Sequence, residues 1–292
     1  MYRILEPGDE AALEAFLTPR LASSMFLLGN MRMSGLRDRD ERAHGAYAAA
    51  FEGDQIVGVV GHYWNGNLIT QSPLEHLDAL WRLAVKGSGR AVHGILGPAE
   101  QAFAVQEALD VSPLQLGLAE CEDLFALTLD TLIIPEPLAS GAVRVRRALP
   151  ADIPLLADWR TAYNVETLGV SDTPDVRRHC EDSIRRLQEA GECWVAEADG
   201  EPLAMSAFNT RTREAVQIGG VYTPPARRGR GYARAAVAQS LLDARAEGST
   251  TAILFTGAEH LAAQRAYTAI GFRRIGDYAI ILLREPVGIA QG

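Results

Sequence analysis

Residues 217–236 read Gln-Ile-Gly-Gly-Val-Tyr-Thr-Pro-Pro-Ala-Arg-Arg-Gly-Arg-Gly-Tyr-Ala-Arg-Ala-Ala, and their types and spacing suit the binding of an anion. An apolar run ends at a Pro-Pro break, an arginine- and glycine-rich turn follows, and small residues then open a helix. The first turn of a helix exposes N–H groups that have no intrahelical partner and carries a partial positive charge. Gly229, Gly231 and the small Ala233 leave room over the backbone, and Arg227, Arg228 and Arg230 can neutralise a pyrophosphate. A Gly-x-Gly by itself also fits an exposed turn that merely starts a helix. The stretch is neither a Walker-type phosphate loop, which needs Gly-x-x-x-x-Gly-Lys-Ser/Thr, nor a dinucleotide fingerprint, which needs a third glycine and a later acidic residue.

A second stretch, Ala262-Ala263-Gln264-Arg265-Ala266-Tyr267-Thr268-Ala269-Ile270-Gly271-Phe272, follows one helix and one strand later. Together the two resemble the GNAT superfamily of acyl-CoA-dependent N-acyltransferases. The family's pyrophosphate loop, Arg/Gln-x-x-Gly-x-Gly/Ala, is met by Arg228, Gly231 and Ala233, and its Tyr-x-x-x-Gly-Phe helix end by Tyr267, Gly271 and Phe272. The resemblance covers roughly residues 143–285.

The resemblance implies a mixed sheet whose fourth and fifth strands part to admit a pantetheine arm. Backbone groups of Val221 and Tyr222 would hold that arm and polarise the thioester carbonyl, Gly219-Gly220 would permit a bulge beside it, and residues 229–233, including Tyr232, would hold the pyrophosphate. The reaction needs a neutral amine, an electrophilic thioester and a proton for the departing thiolate. A tyrosine of ordinary pKa about 10 can supply that proton to a thiolate of pKa about 8.5. Tyr267 is the candidate acid by motif position, although a packed core tyrosine fits the same spacing. For the base, Glu166 in the expected loop 163–169 can face the acceptor, as can Gln217 or a water chain; a solvated loop acid is the bland reading of Glu166. His260 stands where the family often has Asn, so it is either a cofactor contact and proton shuttle or a surface histidine.

These residues need elements to position them. In the second half the pattern predicts a strand at 143–146, helices over 153–163 and 176–189, a hairpin about Asp199-Gly200, a strand over 215–222, the glycine-arginine turn, a helix to Glu247, a strand over 250–255, a helix over 261–270 and a final β region over 272–283. Ala233, Val237, Leu241 and Ala244 form the inner stripe of the helix after the turn. The first half reads in the same order: strand, helix, an apolar core helix around residues 24–31, a hairpin about Gly53-Asp54 with an added strand, then helix, strand, helix, strand. The expected fold class is therefore α/β of the α+β type, two tandem units at 1–134 and 142–292 joined by a linker at 135–141, each a mixed, mainly antiparallel sheet flanked by helices. The first unit has no glycine between Asn67 and Lys86 and no tyrosine between Trp64 and Ala162. It is expected to have lost cofactor binding.

Composition sets the outer bounds. The net charge of −9 argues against general nucleic-acid binding. Residues 1–140 hold 9 Lys+Arg against 19 Asp+Glu, and residues 141–292 hold 19 against 18, so an anion should prefer the second half. No basic segment followed by an apolar run opens the sequence, and no run of about 18 apolar residues is evident, which predicts a cytoplasmic protein with no membrane partner. Cys121, Cys180 and Cys193 lack metal or disulfide spacing, so no metal is expected. The resulting expectation is transfer of an acyl group, in the first instance acetyl, from acyl-CoA to a small-molecule, peptide or protein amine by direct attack in a ternary complex. A non-catalytic acyl-CoA sensor is the alternative, and a structural partner docking through the acidic half is a weaker one. The acceptor and the oligomeric state are not set by these residues.

Overall fold

The first elements of the computed structural model, which describes residues 1–288, are strand β1 (Tyr2–Ile4) and helices α1 (Glu10–Leu17) and α2 (Leu21–Ser34). The helical run Glu10–Ser34 holds a window of mean hydropathy 1.2, long and apolar enough for a membrane span by length and composition, although Glu14, Arg20 and Asn30 keep it from being a continuous apolar run. Its apolar side chains have another use. Leu13, Phe16, Leu17, Leu27, Leu28 and Met31 are buried with Tyr47, Val59 and Tyr63 in one core, where each is worth about 2 kcal/mol of transfer free energy.

The hairpin predicted about Gly53-Asp54 joins β2 (Gly45–Glu52) to β3 (Gln55–Tyr63), and β4 (Asn67–Gln71), α3 (Leu74–Ser88), β5 (Val92–Pro98), α4 (Ala99–Ala108) and β6 (Leu116–Thr128) follow. The helical spacing of Leu77, Leu80, Trp81 and Ala84 puts all four on the buried face of α3.

The second half supplies α5 (Glu136–Ala139), β7 (Arg144–Arg147), α6 (Ile153–Leu168), α7 (Pro174–Glu189), β8 (Cys193–Ala198), β9 (Glu201–Arg211), β10 (Ala215–Tyr222), α8 (Tyr232–Ala246), β11 (Thr251–Gly257), α9 (Leu261–Thr268) and β12 (Arg273–Val287). Residues 135–141 are not a bare linker. They contain the short helix α5, and Leu138 packs against Ala235 and Ala236 of α8.

The fold is mixed α/β, with a mixed sheet flanked by helices. Two compact units divide the chain differently from the expected 1–134 and 142–292: one is Met1–Leu124 with the strand from Gly276 onward, the other Phe125–Ile275. The reason is strand exchange along the sequence. In the first unit the order is β1-β2-β3-β4-β5 and then β12, whose residues Tyr278–Leu282 run antiparallel to β5 from Pro98 to Gly94. In the second the end of β6 stands beside β11, followed by β10, β9, β8 and β7. Phe125, Leu127 and Leu129 accordingly join the second unit's core.

Alternation along β8 and β9 sorts that core onto two faces. Trp194 and Phe208 face α8, with Val237, Leu241 and Ala244 of the predicted stripe, while Val195, Met205 and Ala207 pack with Leu156 and Trp159 of α6 and Ile184 of α7. Ala233 is only half-buried. The buried indole of Trp194 donates to Asp243 Oδ2 at 2.7 Å and ties α8 to the sheet.

Candidate functional site

The stretch predicted to form the cradle has a distinctive local geometry. β10 and β11 pair in parallel at Ala215↔Thr251, Val216↔Ala252 and Gln217↔Ile253, and the ladder stops there although the strands continue to Tyr222 and Gly257. Between Gly219 and Tyr222, three steps along β10 oppose two along β9, from Ala207 to Met205, so the Gly219-Gly220 pair carries the bulge. Gly220 has φ +60°, a backbone that L side chains rarely adopt. Past Pro224 the chain turns through Gly229 (φ +79°) and Gly231 (φ +81°), and Gly231 caps α8 in the left-handed conformation. A Cβ at Gly229 would meet nothing within 4 Å, so the backbone there is open to a ligand.

The bulge has a second effect. Val216 and Ile218 face the α8 side, and strict alternation would put Tyr222 there too. The extra residue inverts the parity: Val221 packs on the α8 side with Tyr267, and Tyr222 turns to the α6 side, beside Trp159 with ring centroids 6.3 Å apart.

There Tyr222 meets Glu166, which stands in the last turn of α6 and not in the expected loop. The helix runs on because Ala162 and Tyr163 pack on the core, and it ends at Gly169 with φ +63°. The Tyr222 hydroxyl donates to Glu166 Oε1 at 3.0 Å, and Arg228 Nη2 donates to Glu166 Oε2 at 2.6 Å. Partial burial opposes ionisation of Glu166, but the hydrogen bonds from Arg228 and Tyr222 and the Arg228 charge outweigh it and hold the carboxyl below its ordinary range. Burial, with the neighbouring carboxylate, raises Tyr222. Arg228 also donates from Nε to the Thr223 carbonyl at 2.9 Å.

Of the three arginines expected to face an anion, two are therefore engaged elsewhere: Arg228 by Glu166, and Arg227 by Glu201. Arg230 is exposed and makes no ion pair among the described residues. Tyr232 packs near Ala235 and Ala236. Tyr267, in the last full turn of α9, is half-buried and meets Phe272 edge-on at 5.9 Å, so the motif tyrosine and its Gly-Phe partner form one packed unit. Tyr267 and Glu166 thus flank β10 from opposite faces. His260 is exposed at the N-cap of α9 and caps no N–H with its side chain. Gln217 is buried, and its amide donates to the Ile218 carbonyl at 2.8 Å; an amide offers no base. Among the described residues no group of three His, Cys, Asp or Glu can hold a metal ion.

Sequence reading missed Arg160 and Asn209. A Cβ on Gly219 would lie 1.9 Å from Asn209 Nδ2, and one on Gly220 would lie 2.1 Å from Arg160 Nη1. Each bulge glycine is thus covered by a polar side chain. An arginine within a helix carries no signal of this in the sequence; only its surroundings across the fold give it meaning.

Among its described residues the first unit has no counterpart of the turn between β10 and α8. Only Ser72 and Pro73 separate β4 from α3, so no loop stands where the cradle would be. β4 and β5 pair at Asn67↔Gly94, Leu68↔Ile95 and Ile69↔Leu96, and stay close beyond, for a Cβ on Gly97 would lie 2.1 Å from Thr70 Oγ1.

Residues 155–272 match the model of the Acetyltransferase (GNAT) family. The chain is similar to N-acetyltransferase family 8 member 2 of Rattus norvegicus, 28% identical over 109 residues that cover 36% of this chain and 48% of that protein; it spans about half the length of that relative. Among solved structures, a GCN5-related N-acetyltransferase from Sphaerobacter thermophilus superposes with a TM-score of 0.57 at 14% identity over 99% of this chain and 96% of its own. An acetyltransferase of the GNAT family from Colwellia psychrerythraea gives 0.55 at 15% over 99% and 100%. A tandem GNAT protein from the clavulanic acid biosynthesis pathway gives 0.56 at 12% over 100% and 99%. At such identities the likeness is one of fold: the chain has the fold of the GNAT-superfamily acyltransferases.

Proposed function

We propose that this protein is an N-acyltransferase that moves an acyl group, acetyl in the first instance, from acyl-CoA to an amine in a ternary complex. The observation that carries this reading is the early end of the β10–β11 ladder directly before a positive-φ glycine turn at the N-terminus of α8. An extended pantetheine can lie against an unladdered strand edge, and a pyrophosphate suits an open turn with outward N–H groups. Residues 229–233 with Arg230 hold the pyrophosphate, and backbone groups of Val221 and Tyr222 hold the pantetheine and the thioester oxygen. When bound, acyl-CoA supplies the electrophilic carbonyl carbon. The amine nitrogen bonds to that carbon, the carbon–sulfur bond breaks, and the proton lost by the amine is balanced by the proton gained by the thiolate. Tyr267 donates that proton from the α8 side of β10. Glu166 acts on the other side as acceptor contact or base once Arg228 leaves it for the pyrophosphate; His260 lies at the cofactor's edge. The first unit, with its short β4–α3 connection, binds no cofactor and serves the fold as a degenerate copy in a tandem arrangement.

One observation favours the second reading, a sensor that binds acyl-CoA without turnover: both oxygens of the candidate base are already engaged. Saturating acetyl-CoA should raise the melting temperature, since a ligand of the native state must stabilise it. Release of free CoA thiol with a broad amine panel then separates the two, and the absence of both effects overturns them together.

A further inference from the structure

The guanidinium of Arg160 is the unexplained charge of this site. It projects from α6 against the bulge, where Gly220 is required both by its φ of +60° and by the lack of room for a Cβ. The Tyr163 ring, 5.4 Å away, supports it from one side. Among the described residues the buried Nη1 has no hydrogen-bond partner and Arg160 makes no ion pair. Several arginines of the same unit, by contrast, are paired. Arg146 is paired with Asp152 and Glu197, Arg177 with Asp172, Arg211 with Glu192 and Glu247, Arg227 with Glu201, and Arg228 with Glu166. A guanidinium cannot shed its proton to escape burial, so a buried N–H left without an acceptor is costly unless a ligand supplies one.

Resting on the acyltransferase reading, we propose that Arg160 receives a substrate carboxylate beside the bulge, and that the acceptor is a carboxylate-bearing amine of the amino-acid class. The pyrophosphate has its own donors at residues 229–233, after the strand has ended, whereas Gly220 immediately precedes Val221 and Tyr222 at the acyl end. A planar fork against a carboxylate is the pairing Arg makes best. Asn164 stands one turn along α6, at i+4 from Arg160 and therefore on the same face. Its Nδ2 donates to Cys180 Sγ at 3.2 Å, while Oδ1 is buried without a partner and suits an N–H of the same substrate. A cationic fork and an unpaired carbonyl on one helical face complement the two ends of an amino acid. A dicarboxylic acyl donor would bring the same carboxylate chemistry from the CoA side.

The test uses the full chain and two arms. With acetyl-CoA as donor, kcat/KM is compared for α-amino acids and their α-carboxamides; with the carboxamides as acceptors, succinyl-CoA is compared with acetyl-CoA. Calorimetry with N-acetyl amino acids and their amides gives a binding readout that needs no turnover. The wild type should favour the carboxylate by about 10- to 100-fold, as expected for a charge-assisted bidentate pair. In Arg160→Gln that preference should collapse, and Arg160→Lys, which keeps the charge without the fork, should restore only part of it. A preference confined to the donor arm overturns the amino-acid assignment and keeps Arg160 as a carboxylate receptor for the acyl chain. Indifference of the wild type in both arms, or a preference that survives Arg160→Gln, overturns the proposal even if a variant folds poorly. Absence of an acetyl-CoA thermal shift in the wild type overturns the acyltransferase reading itself, and this proposal with it.

Discussion

Arg228 and Glu166 form an ion pair of 2.6 Å within the candidate site, so the arginine of the expected pyrophosphate motif and the candidate base hold each other. Both side chains are roughly half exposed, at 49% and 40%, which limits the pair to about 1 kcal/mol or less after solvent screening. A pyrophosphate with its larger charge can therefore displace the carboxylate. On the proposed reading, the pairing would link cofactor arrival to release of Glu166.

Glu166→Gln removes the competitor for Arg228. Acetyl-CoA should bind several-fold more tightly to this variant, by about the factor of five that 1 kcal/mol represents, and Arg228→Ala should weaken binding. Calorimetric Kd values check both; identical values for wild type and Glu166→Gln would separate Arg228 from the cofactor site.

Tyr267→Phe keeps the ring that meets Phe272 and removes only the hydroxyl. Turnover should fall by about 10- to 1,000-fold while the acetyl-CoA Kd stays within about two-fold, the pattern of a lost proton donor. Steady-state kinetics with a thiol assay reads this, and an unchanged kcat removes Tyr267 from the chemistry.

Gly220→Ala places a Cβ 2.1 Å from Arg160 Nη1 on a backbone with φ of +60°. The strain and the displaced guanidinium should together cost about 1–3 kcal/mol of stability, whereas Gly200→Ala, also at positive φ but in open space, should cost about 1 kcal/mol. Chemical denaturation of the two variants makes the comparison.

His62 is fully buried in the first unit, with Nδ1 2.6 Å from Ser88 Oγ and Nε2 3.2 Å from the Gly66 carbonyl. Burial, reinforced by the charge of Arg90, holds its pKa down to about 4 against an opposing hydrogen bond to the Gly66 carbonyl. The unfolded chain takes up this proton near pH 6.5 and the folded one only near 4. Its stabilisation is therefore complete above 6.5 and is lost as the pH falls towards 4, by about 2 kcal/mol between pH 7 and pH 5. Urea midpoints should fall less steeply over that range in His62→Gln than in the wild type.

Cys180 and Cys193 are fully buried, and burial pushes the Cys193 thiol up to about 12. Cys121 is exposed on β6. A maleimide should modify one thiol per native chain and three after unfolding, as counted by mass spectrometry.

Much of this site was legible in the residues. Glycines at 220, 229 and 231 were needed for their backbone angles, and the Tyr267-Gly271-Phe272 spacing made a packed helix end, because both are local demands that one position states by its type. The hairpins and the α8 stripe followed from periods of 2 and 3.6 for the same reason. The helix carrying Glu166 was placed too short, since its last turn depends on Tyr163 and Ala162 finding a core and not on propensity.

Other features belonged to the tertiary structure alone. Residues at 125–129 joined the second unit and residues 276–287 joined the first because strand pairing is a long-range choice that a local pattern does not encode. The single extra residue of the bulge inverted the face of Tyr222, and that inversion brought its hydroxyl to Glu166. The sequence by itself determined where a glycine turn opens a helix and which tyrosine packs at the later helix end. The folded chain decided which charges were already spent on one another and left Arg160 without an ion-pair partner among the described residues, because ion pairing depends on distances between residues that are far apart along the chain.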